Sequence, residues 1–458
     1  MNLVVLASIV VAALITLYAW GLGRTFAYVF LPALLLFYGV PKVSLKGIPD
    51  LNAFSAVGYP VLMLLPYCWR EVQRVRWNAI DLLVGIMFVP LVISAMVNTS
   101  FWDGIGQAGD QFFVWVVPYF LGRVAIHDVR ARQATVRVLC ACVILLALLA
   151  TWESRMAPYF VTKQLKNFNL STVSSGQVFN RFGFMRAQTT FGHSIDQGLC
   201  GVLIGTMILM LTPSVGRKWT EPLTLIGIGA CGVLVFTSIS FTAVGAMCAA
   251  IVMYLAFQQR WIGSKLVVPA VVCVGLGITY LMNDMLGREI GERPVGTVEQ
   301  SAWIRVKLLQ DAWVQAESAG YFGQGRYIDV TGVGSGSVDN AYLLFVMQYG
   351  WLYLGLWVVL ALLVTWKGSQ MLDLSDAPEK RRPAAAAMAG FVAVLMGMYT
   401  VYYGFEYAML LCALLGMIAS MYQIFRYPPI FAVAPMMPPA QGFPIDPRRM
   451  DPRLGMAR

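Results

Sequence analysis

A few arginines and one histidine stand out in this chain because they precede a long apolar run. The stretch from 181 to 193 places Arg181, Arg186 and His193 within 13 residues. Guanidinium groups match phosphate oxygens in both geometry and charge. This stretch is therefore a candidate edge of an anion-binding site, and a loop whose charges are simply solvated is the alternative interpretation.

Arg305 is a second candidate, in the run 301–313, which we predict to be an interfacial helix with a tryptophan near each end. Its neighbours at i+3, i+4 and i+7 are Leu308, Leu309 and Ala312, so Arg305 lies on an apolar flank. A cation in such surroundings is costly unless an anion pairs with it. Arg305 therefore either extends to lipid headgroups or faces a cleft and holds the anion of a ligand.

Asp339 and Asn340 directly precede a long apolar segment. Both residue types cap the N-terminus of a helix well. A carboxylate whose pKa is raised by burial can also accept a proton from a hydroxyl group. Asp339 is thus a candidate general base, and Asn340 a candidate substrate-binding residue.

Two further residues complete the candidate set. Arg326 follows the glycine-rich segment 321–325, and glycines let backbone amides approach an anion. This segment is no P-loop, because the lysine and the preceding strand are missing. Glu406 lies among tyrosines near the end of an apolar run, where an ionisable residue is either functional or an interfacial carboxylate in an aromatic belt.

The composition predicts the elements that must position these residues. Hydrophobic residues make up 59% of the 458 residues and charged residues 12%, about half the usual share of a soluble domain. This balance is typical of an all-α polytopic membrane protein. The net charge of +10 then reflects basic cytoplasmic loops and indicates no nucleic-acid partner.

Metal and disulfide chemistry are not predicted. The eight cysteines all lie in apolar stretches without CxxC spacing, and the chain has two histidines. We therefore predict no cofactor and no metal.

A bilayer core needs about 20 apolar residues per helix, and this length predicts about 12–13 transmembrane helices within residues 1–426. The predicted spans are 2–20, 25–40, 51–69, 79–98, 111–126, 135–152, 196–212, 222–238, 240–257, 266–283, 341–366, 385–402 and 406–425.

Lysine and arginine positions predict the orientation, since basic loops favour the cytoplasm. Arg74, Arg130, Arg217, Lys367 and Arg426 fall on one side in this arrangement. The N-terminus is then extracytoplasmic and the C-terminus cytoplasmic. The segments 99–110, 153–195 and 284–340 lie on the outer face, and the proline- and arginine-rich tail 427–458 is predicted to be disordered and cytoplasmic.

Several of these segments resemble the O-antigen ligase and Wzy-type polysaccharide polymerase superfamily of bacterial inner-membrane glycosyltransferases. The likeness covers about 110–425. Three segments carry the resemblance. The first is the stretch 181–198, and the second is Arg305 with Trp313 and the glycines of 323–325. The third is Asp339-Asn340-Ala-Tyr-Leu, followed by the segment 348–355. The resemblance implies a GT-C-like fold with a long, partly helical outer loop.

The resemblance also implies roles for the candidate residues. In the family, the outer loop joins a polyprenyl-diphosphate donor to an acceptor sugar, and arginines bind the diphosphate. The family's proposed histidine base corresponds to Asp339 here, and a Ser-Arg pair found in many members is replaced by Ser238-Ile-Ser-Phe-Thr. Both departures favour a polymerase over a ligase.

The resulting hypothesis is a metal-independent glycosyltransferase of the bacterial inner membrane. It would transfer glycan from undecaprenyl diphosphate to a hydroxyl of a lipid-linked repeat unit, with Asp339 and Arg305 as catalytic residues. Its partners would be membrane lipid and the flippase and chain-length regulator of the same pathway. The alternatives are a ligase that uses lipid A-core or protein as acceptor, and a lipid-linked oligosaccharide flippase.

Overall fold

A computed structural model of the chain is almost entirely helical. It describes residues 2–37, 43–45, 48–156, 159–167, 180–181, 183–213, 221–259, 263–289, 291, 297–325, 338, 340–375, 377–399 and 405–427. Most of the predicted tail, from 428 onward, lies outside these described residues.

The first half of the chain forms short and long helices with two small hairpins. Two of the helices contain a π-helical turn, at Phe26–Phe30 and Phe112–Val116. The elements are α1 (Asn2–Trp20), α2 (Leu22–Thr25), α3 (Leu31–Leu36), β1 (Val43–Leu45), β2 (Ile48–Leu51), α4 (Ser55–Met63), α5 (Trp69–Val72), α6 (Ala79–Asn98), α7 (Phe101–Gln111), α8 (Val117–His127), α9 (Val129–Arg155), α10 (Phe160–Asn167), β3 (Asn180–Arg181) and β4 (Phe184–Met185). Strands β1 and β2 pair antiparallel, as do β3 and β4.

The second half is built from long helices. These are α11 (Ser194–Leu211), α12 (Pro222–Thr237), α13 (Phe241–Phe257), α14 (Gly263–Leu286), α15 (Thr297–Ser318), α16 (Ala341–Asp373), α17 (Pro378–Met398) and α18 (Phe405–Arg426). Helices α11, α17 and α18 pack at the centre of the bundle, where nearly every described side chain of α18 is buried.

The protein is a multi-pass α-helical membrane protein. Seven of the described helices are long and apolar enough to cross a bilayer: α1, α6, α9, α11, α14, α16 and α18. The stretches Leu22–Leu36, Pro222–Thr237 and Phe241–Phe257 are apolar but shorter. The sequence-based count of about thirteen also takes these shorter runs and the helices α4, α8 and α17 as spans.

The predicted span 51–69 is interrupted in the structure. Its helix, α4, has nine residues and ends at Met63, so it rises only about 14 Å. Pro66 follows shortly afterwards, and proline cannot continue a helix without losing a hydrogen bond. Conversely, the predicted outer segment 99–110 is helical, because Ser100 caps α7.

A buried ion pair joins α6 to α8 inside the bundle. Arg123, which the positive-inside rule alone would place at an interface, is 1% exposed, and its Nε lies 2.9 Å from an oxygen of Asp81. Tyr119 donates a hydrogen bond of 2.6 Å to the same carboxylate, and Arg123 donates to Ser420 of α18. These partners compensate the cost of burying both charges, so Arg123 has a structural role.

Candidate functional site

The structure describes the predicted site residues to different extents. Asp339 and Arg326 lie outside the described residues, and of Arg181 and Glu406 only the backbone is described. Arg305, Asn340, Arg186 and His193 are described with their side chains. The geometry of the candidate site therefore rests on these four residues and their neighbours.

Arg305 and Asn340 line the same small pocket of about 50 Å³, which we call the Arg305 pocket. The other lining residues come from α14, α15 and the segments flanking α16 and α17; they are Met285, Leu308, Leu309, Val338 and Tyr399. Arg305 is thus placed in a cleft and is half-buried there. That Arg305 holds the anion of a ligand in this pocket stays a prediction.

Asn340 contributes an unpaired hydrogen-bond donor to this pocket. Its side-chain oxygen accepts from the backbone N–H of Leu343 at 3.1 Å, which caps α16 as predicted. Its Nδ2 is buried and has no partner among the described residues. An unmet buried donor is costly, so a ligand acceptor at this position would be stabilised.

Helix α15 is fixed to its neighbours on two sides, and this positions Arg305. The side chain of Gln310 donates to the carbonyls of Met285, Leu286 and Arg288, at 2.8–3.3 Å. Met285 and Leu286 belong to the last turn of α14, whose carbonyls have no partner within the helix, and Arg288 follows two residues after its end. Further along α15, Trp313 packs edge to face on Trp351 of α16, with ring centroids 6.1 Å apart.

An apolar groove lies beside the Arg305 pocket, between the same helices. It has a volume of about 510 Å³ and is lined by residues of α14, α15, α16 and α17, among them Met282, Trp313, Leu343 and Leu395. Each of these four residues is three or four positions along the chain from a lining residue of the Arg305 pocket. The pairs are Met282 and Met285, Trp313 and Leu309, Leu343 and Asn340, and Leu395 and Tyr399. Positions three and four apart share one helix face, so the groove and the pocket adjoin one another.

The glycines of 321–325 pair with a break in α16. Gly350 adopts φ 88° and ψ 171°, which divides α16 into two segments. Gln324 and Gly325 donate their backbone N–H groups to the carbonyls of Met347 and Gln348, at 2.8 and 3.1 Å. Trp351 and Leu352 donate in return to Gly320 and Tyr321.

This pairing satisfies the backbone groups that the break exposes, as a non-helical segment within a membrane protein requires. A Cβ atom on Gly323 would lie 2.4 Å from the carbonyl carbon of Gln348. Gly323 is therefore needed for close approach between backbones. The amides of Gln324 and Gly325 are used in these bonds, so they are not available to cradle an anion as the sequence had suggested.

The segment between α9 and α11 is held by a carboxylate that the sequence did not single out. Glu153, at the end of α9, is fully buried and accepts backbone hydrogen bonds from Val161, Gln188 and Thr189, at 2.8–3.0 Å. This side chain therefore joins both ends of the segment 159–189 to α9. The signal in the sequence was an acidic residue at the end of an otherwise apolar run.

Arg186 lies within this segment, and His193 follows it. Arg186 Nε donates to the carbonyl of Ser238 at 3.1 Å, and His193 caps α11 by accepting from Ile195. Burial raises the pKa of the neighbouring Tyr159 hydroxyl, an effect that Arg186 opposes and Glu153 reinforces. The described residues of the Arg305 pocket include neither Arg186 nor His193.

We expect Glu153→Gln to loosen the segment 159–189. The amide has one oxygen for three backbone donors, and its NH₂ group would face N–H groups. The free energy of unfolding should therefore fall by about 1–3 kcal/mol. Thermal unfolding and hydrogen exchange at residues 184–189 measure it. Glu289→Gln, which changes an exposed carboxylate, is the matched control, and equal effects in the two variants would contradict this role for Glu153.

Comparison with known proteins leaves the family open. No protein-family model matches the chain, and no curated protein matches it. Among the described residues, no group of three or more His, Cys, Asp or Glu side chains is arranged to hold a metal ion.

Proposed function

We propose that the protein is a polysaccharide polymerase of the bacterial inner membrane. It would transfer glycan from undecaprenyl diphosphate to a sugar hydroxyl of a lipid-linked repeat unit on the extracytoplasmic face. The observation that supports this most is the arrangement of the Arg305 pocket beside the apolar groove. A cation and a free amide donor adjoin a groove of about 510 Å³ lined mainly by apolar side chains, a combination that suits a diphosphate attached to a long isoprenoid chain.

The groove is also open to the surroundings of the bundle. Val272, Val358 and Leu362 line it and are 45%, 49% and 50% exposed. In a membrane, such side chains contact lipid tails. A polyprenyl chain could therefore enter the groove sideways from the bilayer and bring its diphosphate to Arg305.

In the proposed reaction, the acceptor hydroxyl oxygen attacks the anomeric carbon of the donor sugar. A new glycosidic bond forms, and the bond between that carbon and the diphosphate oxygen breaks. Arg305 and the Nδ2 group of Asn340 would stabilise the negative charge that develops on the leaving diphosphate. Asp339 would take the hydroxyl proton, and its sequence neighbours Val338 and Asn340 both line the Arg305 pocket.

We expect Asn340→Asp to reduce transfer about 10–100-fold while leaving the fold stable. Asn and Asp cap helices about equally well, so α16 keeps its N-cap. The substitution replaces the Nδ2 donor by an anion, which repels a diphosphate. Initial rates of transfer, together with the melting temperature, check this, and an unchanged rate would contradict a role for Asn340 in diphosphate binding.

The direct test uses the purified full-length protein in liposomes with an undecaprenyl-diphosphate-linked repeat unit. We expect polymer to form, with one undecaprenyl diphosphate released for each new glycosidic bond. EDTA should leave the rate of transfer unchanged. Transfer to lipid A-core but not to a repeat unit would indicate a ligase. Movement of the intact lipid across the bilayer without release of diphosphate would indicate a flippase, and either result would refute the polymerase.

A further inference from the structure

A second cavity of about 510 Å³ lies at the end of α9, apart from the Arg305 pocket. We call it the Arg155 pocket. Its walls come from α9, β4, α12 and α13, and it includes Arg155, Phe184, Ser240 and Phe241. It shares no lining residue and no helix with either the Arg305 pocket or the apolar groove. The two cavities are therefore separate places on the molecule.

Arg155 is the cation of this pocket. Its guanidinium lies over the ring of Phe184, with 4.0 Å between Cζ and the ring centroid. This stacking holds the planar group in place while leaving its N–H groups available at the edges. Among the described residues, no carboxylate is paired with Arg155.

A serine hydroxyl offers a second donor. Ser240 Oγ accepts a hydrogen bond from the backbone of Ala243, so its own proton is left to donate. The hydroxyls of Thr151 and Ser154, in contrast, already donate to carbonyls within α9. The polar part of the pocket is thus a donor set suited to an anion.

The backbone between α12 and α13 is held in an unusual conformation at this cavity. Ile239 has φ 47°, which is a rare and strained value for a β-branched residue. The hydrogen bond from Arg186 to Ser238 helps to keep it there. This conformation separates the end of α12 from the start of α13, where Thr237 and Ser240 line the pocket.

The remaining walls are apolar and face outward. Phe236 is 62% exposed and Phe241 67% exposed, and both line the pocket. In a membrane protein these rings contact lipid tails. The pocket therefore combines a cation stacked on Phe184 with an apolar entrance, which is complementary to a phosphate-bearing lipid.

We propose that the Arg155 pocket binds the diphosphate end of a second lipid-linked substrate, the acceptor. This inference rests on the proposed function, because a polymerase joins two molecules that both carry a lipid diphosphate. The Arg305 pocket would then hold the donor and the Arg155 pocket the acceptor. Arg186 would act as a positioning residue for the backbone beside the acceptor, instead of binding the donor diphosphate with Arg305.

Photocrosslinking tests the site without requiring activity. The probe is undecaprenyl diphosphate with a diazirine in its chain, added to the full-length protein in phosphatidylcholine nanodiscs. We expect adducts on α9 and α13 as well as on α14 and α16. Arg155→Ala should reduce the α9 and α13 adducts at least tenfold without changing the others.

Matched controls identify what is recognised. Arg305→Ala should show the reverse pattern of adducts, and Arg130→Ala, at the exposed opposite end of α9, should change neither set. Undecaprenol, which lacks phosphate, should not compete at α9 and α13. Adducts confined to α14 and α16, no effect of Arg155→Ala, or equal competition by undecaprenol would each overturn the proposed site.

A transfer assay then tests the acceptor role. Arg155→Ala should lower transfer to a lipid-linked acceptor at least tenfold but leave transfer to a soluble glycoside of the same repeat unit unchanged. Equal loss with both acceptors would overturn the acceptor role. If the unmodified protein transferred to neither acceptor, the proposed function would fail, whereas the crosslinking result would still decide whether the lipid site exists.

Discussion

Arg305→Ala is expected to reduce glycan transfer about 100–1000-fold, the usual effect of removing one group that stabilises developing negative charge. Arg305 lines the pocket that adjoins the apolar groove, and it is the only cation among that pocket's described lining residues. Without it, the diphosphate would leave without a counter-charge. Cells that depend on this protein should lose long polymer, and the purified variant should release little undecaprenyl diphosphate.

Lys307→Ala is the matched control, because it removes one positive charge from the same helix. Lys307 lies over the ring of Trp303, with Nζ 5.4 Å from its centroid, and it does not line the Arg305 pocket. Both variants should reach the membrane in normal amount. Polymer of normal length and yield from Arg305→Ala would refute the assignment, and an equal loss from Lys307→Ala would show that only the total charge of α15 matters.

Gly350→Ala is expected to destabilise the protein by about 2–6 kcal/mol and to abolish transfer with it. Its φ of 88° and ψ of 171° lie in a region that is essentially restricted to glycine, and an alanine there costs about 1–3 kcal/mol. The added Cβ would also lie 2.0 Å from the carbonyl oxygen of Tyr321. Relieving that overlap costs about 1–3 kcal/mol more.

Gly355→Ala is the control for this substitution. Gly355 lies in the same helix, and a Cβ there meets no atom within 4 Å, so alanine should be neutral or slightly stabilising. Size-exclusion chromatography in detergent and thermal unfolding compare the two variants. Equal melting temperatures would show that the break in α16 tolerates a side chain and that the pairing with 320–325 is not required.

The local sequence was enough to predict the fold class and the location of most helices. An apolar run of about 20 residues must be helical in a bilayer, because only a helix satisfies every backbone group within one segment. The predicted spans 79–98 and 196–212 accordingly match α6 and α11 to within two residues. Asn340 was likewise predictable as an N-cap, since capping depends on residues three positions apart.

Local sequence also indicated Arg305 correctly as a cation on an apolar flank. It could not show what the flank faces, because the groups that form the pocket are far apart in the chain. Met285, Arg305, Asn340 and Tyr399 meet only through the packing of α14, α15, α16 and α17. The same holds for Glu153, whose backbone partners lie up to 36 residues away.

Tertiary structure changed the interpretation of the glycines and of Arg186. The spacing of glycines in 321–325 fits an anion-binding nest and fits close backbone packing equally well, because both need the absence of a side chain. Pairing with the break at Gly350 decided between them. Arg186 was grouped with Arg305 by residue type, but its hydrogen bond to Ser238 places it beside the Arg155 pocket. The sequence could not distinguish the two arginines, because the charge of a residue carries no information about which helices will enclose it.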